Sequence, residues 1–196
     1  MHLYAGEEPG AALVLGHGAG GGVQAPDLVA ATAAAGSLGF TVALVEQPYR
    51  VAGRRSAPRA PHLDAAWISV VDELRADELA GLPVIVGGRS LGARVACRTA
   101  EATGAIAVLC LAFPLTPPRR AAGKPPESRL PELDAVTLPT LVVQGERDRF
   151  GIPPASALRE VVVVPGDHGL KTDPEAVAAA VRQWLAGVAA GALPAK

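Results

Sequence analysis

Two hydrophobic patterns alternate along the chain. Short, mostly apolar runs occur at Ala11–Leu15, Phe40–Val45, Val84–Val86, Ala105–Ala112, Thr140–Gln144 and Val161–Val164. Between them lie longer stretches in which apolar residues return every three or four positions. The runs read as strands buried on both faces and the stretches as helices that cover them. Helices are predicted over Pro26–Leu38, over Leu63–Leu79, from Ala93 to about Thr103, and from Asp173 to about Ala186. In the second, Leu63, Trp67, Val70, Val71 and Leu74 fall on one face. The last opens on Asp173-Pro174-Glu175, which supplies an N-cap, a first-turn proline and an acidic residue at the positive end of the helix dipole. Such alternation predicts an α/β fold, with a mostly parallel sheet covered by helices on both faces.

Two loops interrupt it. Gln47–Pro61 is rich in proline and arginine. Phe113–Pro139 carries Pro114, Pro117, Pro118, Pro125, Pro126 and Pro131, which leave room for a short helix but not for a helical cap. The tail from Gly187 to Lys196 is expected to fray. No repeat, linker or low-complexity segment divides the chain, so residues 1–196 read as one domain.

Composition narrows the functional classes. With 196 residues and 49% hydrophobic content, the chain can bury an ample core. Its 18 basic and 19 acidic residues nearly cancel, which argues against a nucleic-acid partner. No apolar run reaches the length of a membrane span, and the start, MHLYAGEEPG, has neither region of a signal peptide. A cytoplasmic protein, monomeric or homodimeric, is expected. Cys97 and Cys110 lie in apolar surroundings without metal-ligand spacing and read as reduced core residues. Nothing in the spacing calls for a metal or an organic cofactor.

In a parallel sheet, ligands bind beyond the carboxyl ends of the strands, so the residues that follow each strand carry the candidate chemistry. After Val84–Val86 comes Gly87-Gly88-Arg89-Ser90-Leu91-Gly92, leading straight into a helix. Strand, G-x-S-x-G, helix is the setting of a nucleophile elbow, in which Gly88 and Gly92 let the chain double back and Ser90 stands exposed at the tip. In a chain with 22 glycines the motif alone is weak. Three further segments strengthen it. Gly16–Gly22 (GHGAGGG) follows the first strand and offers the Ala19 N–H, beside that of Leu91, to an oxyanion. No Lys-Ser or Lys-Thr pair follows this loop, which argues against a P-loop. GERDRFG follows the fifth strand and offers Asp148, with Glu146, Asp167 and Asp173 as rivals; PGDHGLK follows the sixth and offers His168.

Serine, acid and histidine thus come after three different strands in the order Ser90, Asp148, His168, which points to acyl transfer through a covalent serine intermediate. A small carboxylic ester or thioester is the expected substrate. Transfer to an acceptor other than water, or a non-catalytic interaction module on the same fold, are the alternatives. His17 reads as structural, a histidine that hydrogen-bonds its own loop. Arg89 reads as a partner of Glu46 or as an anchor for an anionic substrate, and the ion pair is preferred. The loop arginines Arg50, Arg54, Arg55, Arg59, Arg119, Arg120 and Arg129 are expected to be solvated charges.

Taken together, GHGAGG, Pro48-Tyr49, GGRSLGARVA, the proline-rich stretch after FPL, QGERDRFG and GDHGLK resemble the α/β-hydrolase superfamily across nearly the whole chain. Within it, the chain is similar to a small family that includes dienelactone-hydrolase-like bacterial proteins and the hydrolase-like domain of a eukaryotic chromatin-complex subunit. The resemblance implies a three-layer α/β-hydrolase fold with six to seven strands rather than eight and no cap domain. It also implies Ser90, Asp148 and His168 as a catalytic triad and the Ala19 and Leu91 N–H groups as the oxyanion hole, without a cofactor. It implies no substrate, and serine stands where the dienelactone hydrolases proper carry cysteine.

Overall fold

The computed structural model describes residues 1–7, 9–117 and 127–192. In chain order its elements are β1 (His2–Tyr4), β2 (Ala12–Gly16), α1 (Pro26–Gly36), β3 (Thr41–Val45), α2 (Pro48–Val51), α3 (Ala60–Ala76), β4 (Val84–Arg89), α4 (Leu91–Thr99), β5 (Ala107–Leu111), α5 (Leu130–Asp134), β6 (Thr140–Gly145), β7 (Arg159–Val164) and α6 (Pro174–Ala192). The seven strands form one sheet in the order β1-β3-β2-β4-β5-β6-β7. All neighbours are parallel except β1, which runs antiparallel to β3 with His2 opposite Leu44 and Tyr4 opposite Val42.

The central strands are buried at every position because alternate side chains enter two separate cores. Leu13, Leu15, Ile85, Leu109 and Leu141 join Leu28 and Ala31 of α1 and Val181 and Leu185 of α6. On the opposite face, Val14, Val86, Val108 and Val142 join Leu63 and Trp67 of α3, Val95 of α4 and Leu133 of α5. This is the predicted three-layer arrangement, and no cap domain covers it among the described residues.

Four details differ from expectation. β1 carries no pattern that marks a strand, since its three residues are all exposed at the sheet edge. α3 lies at Ala60–Ala76 instead of Leu63–Leu79: a proline in its first turn starts it early, and Leu79 caps its end through an N–H to the Leu74 carbonyl (2.8 Å) while staying in the core. α6 continues past Ala186 to Ala192, because Trp184, Val188 and Ala189 still pack on the first core; residues 193–196 lie outside the described ones. Arg129 is not a freely solvated charge, since it is half-buried and its Nη1 donates to the Pro114 carbonyl (3.0 Å). Arg50, Arg54, Arg55 and Arg59 are exposed, and Arg119 and Arg120 lie outside the described residues.

A charged seam joins the helices of the second face. Arg94 holds Glu132 through two hydrogen bonds (2.8 and 2.6 Å), and Arg98 holds Asp64 in the same forked way (2.9 and 2.6 Å). Arg98 also approaches Glu132 at 3.4 Å, so α4 is tied to both α3 and α5. Beneath it, Cys97 and Cys110 are buried free thiols with sulfurs 3.5 Å apart. No helix among the described residues is long and apolar enough to cross a membrane.

From β2 the chain passes to β3 on one side and then to β4 on the other, so the direction of winding reverses at β2. Loops diverge at such a point and leave a crevice beyond the strand ends. Here it lies between the glycine loop after β2 and the turn after β4. His17 fixes the first of these: its Nδ1–H donates to the Gly18 carbonyl (2.7 Å) and its Nε2 accepts the Gln47 N–H (2.9 Å). Acceptance at Nε2 needs the neutral ring, and burial holds the His17 pKa below the ordinary histidine range.

Two predictions follow from these contacts. Replacing Glu132 by Ala strands Arg94 and takes from Arg98 the weaker of its two partners, both arginines being only about one-fifth exposed. It should cost about 1–3 kcal/mol, between the ranges for exposed and fully buried pairs, read as a drop in Tm. An unchanged Tm would remove the seam from the account of stability. For His17, the unfolded chain binds the proton first on acidification, so the ring's contribution is present above about pH 6.5 and is lost as pH falls through the lower folded value. Between pH 7 and 5 the wild type should therefore lose more stability than His17→Asn. Parallel curves for the two proteins would show that His17 is not held neutral.

Candidate active site

The turn after β4 is shaped by the strand beside it. A side chain at Gly88 or Gly92 would run into the Gly16 carbonyl of β2, so the crowding comes from the neighbouring strand as much as from the turn itself. With both positions bare, the turn presses against β2. Ser90 is left at φ 52° and ψ −104°, a backbone conformation that non-glycine residues rarely adopt. The Ser90 N–H is held by the Leu111 carbonyl of β5 (2.9 Å). α4 begins at the next residue, so the Leu91 N–H has no acceptor within its own helix. Ala19 lies exposed in the glycine loop across the crevice, its carbonyl accepting the Tyr49 hydroxyl (3.2 Å). Neither the Ala19 nor the Leu91 N–H meets an acceptor among the described residues.

His168 sits in the loop between β7 and α6. Its Nε2 lies 3.0 Å from Ser90 Oγ and its Nδ1 lies 2.8 Å from Asp148 Oδ2. Since the carboxylate can only accept, Nδ1 carries the proton and Nε2 is free to accept the Ser90 hydroxyl. Asp148 is buried just past β6. Its Oδ1 accepts the Phe150 N–H (2.9 Å), closing an Asx turn, while Oδ2 also accepts from Gln144 Nε2 (2.7 Å). The Asx turn that would explain Asp148 without chemistry is therefore the device that aims its other oxygen at His168. The rival carboxylates are engaged elsewhere: Glu146 pairs with Arg147 (3.0 Å), Asp167 accepts the Gly169 N–H (2.8 Å), and Asp173 caps α6 through the Ala176 N–H (2.9 Å).

Two residues around this cluster carried no weight in the sequence reading. Gln144, at the end of β6, also has its Nε2 within hydrogen-bond distance of the carbonyls of Phe113 (3.1 Å) and Gly151 (3.0 Å), so its two N–H groups are shared among three acceptors around the acid. Its one visible signal is a polar residue closing the apolar run Leu141-Val142-Val143. Phe150 sets its ring edge-on to His168, with centroids 4.4 Å apart, and closes one side of the imidazole.

Arg89 does not pair with Glu46. Glu46 is exposed at the end of β3 with His2 3.9 Å away, whereas Arg89 Nε lies 2.9 Å from Oδ2 of Asp27, in the first turn of α1. Asp27 is fully buried and its Oδ1 accepts the Leu28 N–H (2.9 Å). Burial raises the Asp27 pKa and the Arg89 charge opposes that shift. The Arg89 Nη2 donates to the backbone carbonyl of His168 (2.8 Å). Beside it, a cavity of about 370 Å³ opens between Gly20–Gly22 and Gly169, with Arg89 and Lys171 on its wall.

The comparisons agree with this architecture. Among solved structures, Est1E from Butyrivibrio proteoclasticus is 17% identical and superposes with a TM-score of 0.73, over 96% of this chain and 93% of that one. XC6422 from Xanthomonas campestris, described as an α/β serine hydrolase without a lid, is 20% identical with a TM-score of 0.66, over 99% and 89%. The esterase domain of a Rhodothermus marinus protein is 17% identical with a TM-score of 0.66, over 96% and 91%. At these identities the likeness is one of fold. A search of curated proteins by sequence finds no match. The alpha/beta hydrolase domain family matches residues 9–184, and the chain therefore belongs to the α/β hydrolases.

Proposed function

We propose that this protein is a serine hydrolase that cleaves small carboxylic esters or thioesters through an acyl-enzyme, close to the small dienelactone-hydrolase-like proteins that its motifs resemble. The observation that carries the reading is the single imidazole of His168, within hydrogen-bond reach of both Ser90 Oγ and the Asp148 carboxylate. In this reading Nε2 takes the proton as Oγ attacks the acyl carbonyl. Asp148 keeps the ring in the required tautomer and stabilises its charged form. The oxyanion of the tetrahedral intermediate is held by the N–H groups of Leu91 and Ala19, and each such donor is worth about 3 kcal/mol in the transition state. Collapse expels the alcohol or thiol, which takes its proton from His168. A water molecule then repeats the cycle on the acyl-enzyme, and the acid and Ser90 are released.

The preference for small acyl groups rests on what surrounds Ser90. Ala19 and Gly20 on the facing loop are exposed, and the described part of the Phe113–Pro139 stretch holds only the five-residue α5. A long acyl chain would gain up to about 0.8 kcal/mol for each methylene buried in an apolar tunnel, and an open crevice forgoes most of that.

A fluorophosphonate probe should label the wild type, and Ser90→Ala should abolish both labelling and p-nitrophenyl acetate hydrolysis with the fold intact. His168→Ala should lower kcat by about ten-thousandfold or more. Equal labelling of the wild type and Ser90→Ala would overturn the reading. Across p-nitrophenyl esters, kcat/KM should be greatest at acetate or butyrate. A steady climb to the dodecanoyl ester would instead reveal an acyl tunnel.

A further inference from the structure

We propose that Arg89, braced by the buried Asp27, is the positioning residue that sets His168 against Ser90; the inference rests on the serine-hydrolase reading above. Three segments have to meet for that chemistry: the elbow, the glycine loop and the histidine loop. All three converge on one guanidinium. Arg89 is bonded to Ser90 in the chain, so it moves with the nucleophile. Its Nη2 donates to the His168 carbonyl at 2.8 Å, the one hydrogen bond which that carbonyl receives from the described residues. Its Nη1 lies under the glycine loop, where a Cβ added at Gly18 would stand 2.9 Å away.

The ring of His168 is met by Asp148 at Nδ1 and by Ser90 at Nε2, but bonds at the ring do not by themselves fix the backbone that carries it. The Arg89 bond holds that backbone on the opposite side of the residue. It also ties the backbone of the base to the residue next to the nucleophile, so the distance between Nε2 and Oγ does not depend on the histidine loop alone. A long side chain serves as such a brace only if its own position is fixed. Asp27 fixes it: the carboxylate is fully buried, with Oδ1 on the Leu28 N–H and Oδ2 facing Arg89 Nε at 2.9 Å. Among the described residues no N–H points directly at Oδ2, so the Arg89 charge is what answers this buried oxygen. A planar guanidinium can keep its Nε edge against Asp27 while Nη2 donates to the His168 carbonyl, a fixed geometry that a lysine ammonium on a flexible stem cannot reproduce.

The test compares wild type, Arg89→Met, Arg89→Lys and Asp27→Asn. The readouts are the rate of fluorophosphonate labelling, kcat and KM on p-nitrophenyl acetate, thermal unfolding, and the low-field proton resonance of the His168 Nδ1–H. Misplacing a catalytic group by an ångström costs about a hundredfold. Arg89→Met should accordingly lower labelling and kcat by about ten- to a hundredfold with KM nearly unchanged, and should broaden or move the His168 resonance. Arg89→Lys should restore part of the loss, and Asp27→Asn should show a smaller loss of the same kind. A folded Arg89→Met with the labelling rate and resonance of the wild type would overturn the inference. So would a defect confined to KM for esters with an anionic acyl group, which would make Arg89 a substrate anchor. If Arg89→Met does not fold, wild-type kcat in both Arg89→Lys and Asp27→Asn would overturn it. A wild type that is not labelled overturns the hydrolase reading itself, and labelled wild type with unaffected variants overturns only this inference.

Discussion

The structure depends on a close approach between two stretches of backbone. The turn after β4 packs against β2 so tightly that the Gly16 carbonyl leaves no room for a side chain at Gly88 or Gly92. Because those two positions are bare, the chain can reverse directly from strand into helix. Ser90 is then held at the tip in a conformation its side chain would otherwise disfavour. The same contact brings the end of β2 beside the nucleophile, and with it the glycine loop. Since β2 is where the direction of winding reverses, one packing contact delivers the serine, the start of α4 and the loop opposite to a single crevice.

The remaining groups reach that crevice from the far side of the sheet, and each is held in at least two ways. Asp148 closes its own turn with one oxygen and receives Gln144 and His168 with the other. Gln144 belongs to β6, so the orientation of the acid is inherited from a strand that is buried at every position. His168 has no strand beneath it. Its ring is bounded by Asp148 and Phe150 and its carbonyl by Arg89. The order of attachment thus runs from the sheet to Asp148 to His168, and His168, carried on a loop, is met by Asp148, Ser90 and Arg89 from outside its own segment.

Much of this was legible in the sequence for one physical reason. Strands buried on both faces leave continuous apolar runs, and the residues that follow those runs must lie at one edge of a parallel sheet. That logic located Ser90, Asp148 and His168 near one another and predicted six of the seven strands. It failed where partners are chosen by tertiary packing. β1 has no buried face and therefore no pattern. Asp27 stands near the start of the predicted helix Pro26–Leu38, and nothing local signals that α1 carries it fully into the interior. Glu46, adjacent to a strand end, was the plausible partner for Arg89, but its side chain points to solvent at the edge. The seam of Arg94, Arg98, Asp64 and Glu132 was hidden for the same reason. Charges on separate helices reveal their pairing only once the helices are packed.

The burial of Asp27 with Arg89 raises an energetic question that its position answers. Taking a carboxylate and a guanidinium out of water costs several kcal/mol for each ion, and their attraction returns about as much. An apolar pair of similar size would stabilise the fold at least as well, so stability does not account for charges at this point. An apolar pair would have nothing to offer the His168 carbonyl. The charged pair stands where three backbone segments must keep fixed distances although only one of them, the end of β4, lies in the sheet. The constraint that places Ser90 is steric and comes from β2. The one proposed to place His168 is electrostatic, and it passes through the residue beside Ser90.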